Sequence, residues 1–261
     1  VRSRLKTKRS LPYLANVIAV TIENQRLAEE RREQAEEAWR LISARLAHKI
    51  GNQNFAAKGL LDGLLECSLP DDAKELVAHI RQCATAIDQV VTEAKRFSGP
   101  LTLNRTLTPL AEFVEATVGK HKIANWNVEC TFSHDDHDLT IDLDTNEIRH
   151  VLMELLENSQ GFRPNDAHII IDTACAGPQE LEKADLHGEY AVIDYRDDGP
   201  GVKRSDKEGI FEPFVSYRQG SGLGLSIVRQ IIEAHGGKAI ECGMEHEGAR
   251  FLIFLPLQPG G

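Results

Sequence analysis

The sequence predicts an α+β protein: an N-terminal helical hairpin forming a dimeric four-helix bundle, followed by an α/β sandwich domain. Three observations predict it. The first hundred residues carry almost no turn signals and repeat apolar or small residues at alternating three- and four-residue steps. A single break, Cys67-Ser-Leu-Pro-Asp-Asp72, divides that stretch in two. Beyond Pro100 the texture changes to short β-branched runs separated by helical ones.

The helical part begins with a seam. From Leu14, positions Ile18, Thr21, Gln25, Ala28, Arg32, Ala35, Trp39, Ile42 and Leu46 keep a coiled-coil spacing, weakened in the middle by Gln25, Arg32 and alanines. The other residues there are rich in Glu and Arg, as on a solvated helix surface. Pro70 stops the first helix, and Asp71 or Asp72 can cap the second. The second repeats the spacing through Leu76, Ile80, Cys83, Ile87, Val90, Ala94 and Phe97, and ends at Ser98-Gly99-Pro100. Two antiparallel amphipathic helices cannot bury both of their faces alone, whereas two such hairpins make a bundle, so a homodimer follows from burial. Residues 1–39 are expected as a coiled-coil signalling helix, 40–98 as the hairpin and 99–261 as the mixed domain.

In that mixed domain the strand-like runs are Val128–Phe132, Leu139–Leu143, His168–Thr173, Tyr190–Tyr195, Lys238–Cys242 and Arg250–Leu255. Leu110–Val118, Thr145–Gly161 and Gly222–His235 have helical texture, and helices covering one face of a sheet are expected. His134-Asp135-Asp136-His137-Asp138 carries metal-type side chains but falls between two strands, as a polar hairpin loop would. His235-Gly236-Gly237 has the form of a helix C-cap, and Trp39 and Trp126 are expected as packing anchors.

Composition removes several classes. With 261 residues, 41% hydrophobic and 27% charged, the chain is an ordinary globular protein. Its net charge of -10 argues against nucleic acid as the main ligand, because a phosphate backbone needs a basic face. The five cysteines (Cys67, Cys83, Cys130, Cys175, Cys242) include no C-x-x-C pair and suit reduced thiols in a cytoplasmic protein. No apolar run approaches the roughly 20 residues that span a bilayer. The basic opening Val1-Arg-Ser-Arg-Leu-Lys suits a solvated helix flank, and we expect a sensor region upstream of it.

Four motifs in the mixed domain carry chemistry. In order they are Glu154-Leu-Leu-Glu-Asn158 on a helix, Asp197-Asp198-Gly199-Pro200-Gly201 after a strand, Ile210-Phe211-Glu212-Pro213-Phe214, and Gly220-Ser221-Gly222-Leu223-Gly224-Leu225 opening a helix. The Asn158 side-chain oxygen is a hard ligand suited to Mg²⁺ bridging phosphates. A carboxylate at a strand end, Asp197, can accept a hydrogen bond from the exocyclic amine of adenine. Gly199 and Gly201 allow a close approach of backbone that other residues deny. The last glycine run offers free amides and a helix dipole to phosphate. Between Gly201 and Gly220 lies a polar stretch expected as a lid, anchored by Phe211 and Phe214.

Each motif alone is a weak signal, but unrelated loops have no reason to fall in this order. The set resembles the ATP-binding domain of sensor histidine kinases, within the superfamily of gyrase-type and mismatch-repair ATPases, over roughly Leu101 to Pro256. The resemblance implies ATP and Mg²⁺ as cofactors. It places Asn158, with the metal, Asp197, Gly199, Gly201, Phe214, Gly220, Gly222, Leu223 and Gly224 among the binding positions.

The hairpin then gains a meaning. Arg45-Leu-Ala-His48-Lys49-Ile50-Gly51-Asn52-Gln53 resembles the phospho-acceptor box of the same kinases, in which an acid follows the histidine and Asn or Thr, then Pro, stand four and five residues on. His48 and Asn52 match; Lys49 replaces the acid and Gln53 the proline. His48 lies beside the seam and is expected to face water. The resemblance implies autophosphorylation of His48 and transfer to an aspartate of a response-regulator receiver domain. It also implies an upstream signal, and Leu14–Leu27 resembles the closing helix of a GAF-type sensor domain.

The departures leave alternatives open. Lys49 cannot accept or orient a ring proton as an acid does, so a scaffold or phosphatase that binds ATP without efficient kinase activity is one alternative. Gly161 stands where the family carries a basic residue, with Arg163 close by. Glu154 stands where kinases usually have Asn and where related ATPases carry a general base, which leaves a gyrase-like ATPase as another alternative beside a structural or metal-shell role.

Overall fold

A computed structural model of the chain describes residues 2–67, 69–119, 129–134, 139–162, 167–217 and 221–257. Side chains are described at 23, 26, 27, 30, 34 and 35 and from 37 onward, except for 129–134. Arg163, Gly220, Trp126, residues 135–138 and the side chains of Ile18, Thr21, Gln25, Ala28 and Arg32 lie outside the described residues. The chain folds as two units, Val1–Ser98 and Gly99–Gly261.

The first unit is a helical hairpin of α1 (Arg2–Leu65) and α2 (Asp71–Ser98). At the start of α2, Asp72 Oδ1 accepts the Ala73 amide at 3.0 Å. Ser43, Ala47, Asn54 and Leu61 of α1 are buried, as are Val77, Ala84, Val91, Ala94 and Phe97 of α2. A Cβ on Gly51 would come within 3.1 Å of Val91, so the helices approach closely there. The buried Asn54 side chain donates to the Ala84 carbonyl at 2.7 Å, and Lys58 reaches Asp88 Oδ2 at 2.6 Å. These polar ties give the hairpin a register that apolar contact alone leaves loose.

The single α2 seam expected from the sequence is therefore two faces. Ala94 and Phe97 close the hairpin together with Val77, Ala84 and Val91, whereas Leu76, Ile80, Cys83, Ile87 and Val90 stay exposed. On α1 the same holds for Ile42 and Leu46, and for Trp39, which at 43% exposure is no anchor within one chain. The reason is geometric: the contact within one hairpin buries only the stripe that faces the neighbouring helix, and apolar residues offset from it around the axis stay outside.

The second unit contains β1 (Thr106–Pro109), α3 (Leu110–Gly119), β2 (Glu129–His134), β3 (Thr140–Leu143), α4 (Thr145–Phe162) and β4 (His168–Cys175). There follow α5 (Pro178–Ala184), β5 (Tyr190–Asp197), a short 3₁₀ turn Gly209–Phe211, α6 (Gly224–Ala234), β6 (Lys238–Glu241) and β7 (Arg250–Pro256). The main sheet has the order β2-β4-β5-β7-β6, with β2 parallel to β4 and the other pairs antiparallel. β3 pairs instead with β1 in a separate two-stranded sheet. β2 and β3, expected as the two arms of a hairpin, thus belong to different sheets, and residues 135–138 between them lie outside the described residues. β1, only Thr106-Leu-Thr-Pro109, was too short to stand out as a partner for β3.

Along β5 the side chains alternate between two covered faces. Ser159 of α4 meets Tyr195 on one face, while Val192, Leu252 and Phe254 pack with Ala184 and Leu181 on the other. Helices therefore do not cover one face alone, because α5 lies over the second. Asp144 fixes the start of α4: its Oδ1 accepts the amides of Asn146 and Glu147, and its Oδ2 that of Asn104. At the end of α6, Gly236 takes a φ of 78°, as the expected cap requires. Among the described residues no helix is long and apolar enough to cross a membrane.

Candidate active site

β5 delivers Asp197 to the end of the sheet, where three donors hold its carboxylate. Oδ1 accepts the amides of Gly199 and Ala249, each at 2.9 Å, and Oδ2 accepts the Ser159 hydroxyl at 2.6 Å. The group is partly exposed, so it has a fixed orientation and an open side. Gly201 has φ 68°, and a Cβ there would lie 2.3 Å from the Met244 carbonyl oxygen. The turn after Asp197 thus rests directly on the backbone of the β6–β7 connection, which only glycine permits. At the end of α4 Phe162 is 43% exposed, and its Cβ would lie 3.9 Å from a Cβ on Gly199. A carboxylate beside a half-exposed phenylalanine is an arrangement that can take a planar base with an exocyclic amine.

One turn before Phe162, the Asn158 side-chain nitrogen is buried with no hydrogen-bond partner among the described residues. A buried amide donor without an acceptor is costly, and an anionic ligand would supply the acceptor. Glu154, a further turn back, lies with Oε1 3.3 Å from His150 Nε2. Its other oxygen would be 2.3 Å from a Cβ on Gly224, so glycine at the start of α6 makes room for a carboxylate. Leu223 is buried completely, so its side chain serves as packing under the start of α6, while Gly222 and Gly224 on either side of it stay partly exposed. Ser221 Oγ accepts the Leu223 amide at 3.1 Å.

The stretch expected as a lid is tied down over most of its length. Ile210 and Phe211 are buried, Phe211 meets Phe251 edge to face at 6.3 Å, and Arg229 lies 3.3 Å from Glu212. Phe214 is not the second anchor: it is 44% exposed with φ 64°. Its backbone lies against Gly222 (φ 70°), where a Cβ would come within 2.6 Å of the Phe214 carbonyl carbon. The expected lid is therefore fixed as far as Glu212, and its residues 218–220 lie outside the described residues.

In the hairpin, His48 and Lys49 are both exposed. Asn52 donates from Nδ2 to His48 Nε2 at 3.3 Å, which requires the neutral ring to carry its proton on Nδ1.

Residues 143–259 match the family described as histidine kinase-, DNA gyrase B-, and HSP90-like ATPase. The chain is 30% identical over 249 residues to the sensory histidine kinase/phosphatase NtrB of Salmonella typhimurium, covering 91% of this chain and 68% of that protein. It belongs to the sensory histidine kinases. This kinase is also 26% identical to the sensor histidine kinase ZraS of Escherichia coli O157:H7, over 83% of the chain and 46% of ZraS. Its structure superposes on histidine kinase ThkA in complex with the response regulator TrrA, with a TM-score of 0.60, 25% identity, and 90% of this chain and 66% of that one covered. Full-length ShkA in complex with AMPPNP shares the fold, with a TM-score of 0.65, 20% identity, and 84% and 46% covered.

Sequence reasoning missed Ser159, Tyr195, Phe162 and Ala249. The first two differ in no visible way from core residues, and Ala249 contributes only an amide, which any residue but proline has.

Proposed function

We propose that this kinase core binds ATP with Mg²⁺ in its second unit, phosphorylates its own His48, and passes the phosphoryl group to an aspartate of a response-regulator receiver domain. The observation that carries the reading is the His48–Asn52 pair: an exposed imidazole whose Nε2 keeps its lone pair because Asn52 donates to it at 3.3 Å. It works as a homodimer in the cytoplasm, where ATP is available, and takes its signal from an upstream sensor through residues 1–39.

Each residue has a part. Asp197 accepts the adenine amine, Phe162 stacks on the ring, and Gly199 and Gly201 let the backbone approach. The Asn158 amide nitrogen donates to a phosphate oxygen, leaving its oxygen for Mg²⁺, and the amides of Gly222 and Gly224 serve the remaining phosphates, with Leu223 packed beneath them. Phe214, whose backbone rests on Gly222, flanks them. Mg²⁺ supplies charge neutralisation at the transferring phosphoryl group. His48 Nε2 is the nucleophile, and Glu154 orders the start of α6. The work is positioning and electrostatics, as for phosphoryl transfer generally. Loss of phosphate incorporation from ATP in His48→Ala is the test.

A second activity is favoured by the naming of the NtrB relatives as histidine kinase/phosphatase. With Lys49 in place of an acid, the forward reaction is slowed, and the same hairpin would also remove phosphate from the regulator.

A further inference from the structure

Glu241, the last residue of β6, is buried on the same sheet face as Phe251, its register partner in β7. Its side chain has no solvent exposure, yet it is an acid. Oε1 accepts the amides of Gly243 at 2.9 Å and Arg250 at 3.2 Å, and Oε2 accepts the ammonium of Lys207. Lys207 also donates to the Gly243 carbonyl at 2.6 Å. One carboxylate thus joins two segments far apart in sequence.

Both segments lead to the nucleotide site. The connection 242–249 presents the Ala249 amide to Asp197 Oδ1 at 2.9 Å. Its Gly248 (φ 100°) is so close that a Cβ would lie 1.8 Å from the Asp197 carbonyl oxygen, and its Met244 carbonyl backs Gly201. On the other segment, Lys207 precedes the buried Ile210 and Phe211, which begin the approach to the loop at Phe214. An apolar pair would fill the same space, and buried ion pairs add little net stability over one. What they add is direction, because three donors converge on Glu241 in one arrangement only.

We propose that Lys207 and Glu241 are a positioning pair for nucleotide binding, holding the 242–249 connection and the 203–212 segment in the registration that Asp197 and Gly201 need, without touching the nucleotide. This rests on the reading of Asp197 as the adenine acceptor.

Calorimetric titration of the whole chain with metal-free ADP tests it. Lys207→Met weakens ADP binding about tenfold, as expected for a lost charged hydrogen bond, and Lys207→Arg restores it. Should Lys207→Met fail to fold, the double variant Lys207→Met/Glu241→Gln leaves no unpaired buried charge and keeps an acceptor for the two amides. It too binds weakly while folded. Wild-type affinity in either folded variant overturns the positioning role and leaves Asp197 untouched. Absence of ADP binding by the wild-type chain overturns the nucleotide site itself, and this proposal with it.

Discussion

The Ser159 hydroxyl lies 2.6 Å from Asp197 Oδ2 and 2.8 Å from the Tyr195 hydroxyl. The carboxylate only accepts, so Ser159 donates to it and, with its one proton used there, accepts from the buried Tyr195 hydroxyl. This relay runs from the sheet core to the group that we assign to adenine. Ser159→Ala removes the donor to Oδ2, and ATP binding falls about tenfold, the worth of a hydrogen bond to a charged acceptor. Tyr195→Phe has the smaller effect. Titration of the folded variants with ATP checks both, and unchanged affinity in Ser159→Ala removes the relay from the account.

Much of this was legible in the sequence, for physical reasons. Asp197-x-Gly-x-Gly201 is readable because close approach to Met244 and Gly248 allows no Cβ at Gly201. The helices α4 and α6 announce themselves by long apolar faces. β1 and α5 do not: four residues ending in proline and a seven-residue helix are too short to show a period. Phe214 was misplaced because burial was inferred from residue type, while the chain there turns through a positive φ.

The exposed stripe of the hairpin predicts assembly. Ile87 at 41% exposure and Leu46 at 51% face away from the hairpin's own interior. Burying such a side chain against a second copy contributes about 1.5–3 kcal/mol. Ile87→Asp should convert a dimer to a helical monomer in light scattering, whereas Val91→Asp, inside the hairpin, should unfold it. A wild-type monomer at micromolar concentration contradicts the four-helix bundle.

His235 predicts a pH dependence. Its Nδ1–H donates to the Ile231 carbonyl at 2.8 Å and its Nε2 accepts the Asp144 amide at 3.0 Å, so the folded ring is neutral. Burial pushes its pKa below the usual 6.5, outweighing the opposing bond to Ile231 and the Asp144 and Glu147 charges, with Arg105 also lowering it. The unfolded chain therefore takes up this proton at higher pH. Stability is retained above about pH 6.5 and lost as pH falls towards the folded value. Thermal unfolding followed from pH 7.5 to pH 5.5 (roughly one unit on either side of that value) should show a falling midpoint. The fall should be shallower in His235→Gln, which is less stable throughout but has no such proton to gain; equal slopes contradict the assignment.

Lys49 predicts a slow kinase. General acid–base help contributes about 10²–10⁴-fold, and a lysine beside His48 does not supply it. Lys49→Glu should raise the initial rate of phosphohistidine formation at saturating ATP while ATP affinity stays the same. Lys49→Ala falls between the two if the cation merely fails to help, and below wild type if it steadies the γ-phosphate. A fast wild type and a slower Lys49→Glu would mean that another base serves His48.

The central claim, that ATP bound in the second unit phosphorylates His48, is tested most directly by incubating the whole chain with γ-labelled ATP and Mg²⁺ and measuring acid-labile phosphate on protein. The account predicts label on the wild-type chain and none on His48→Ala, although both bind ATP equally. Label that persists in His48→Ala, or free phosphate released by the wild-type chain with none on protein, would contradict it.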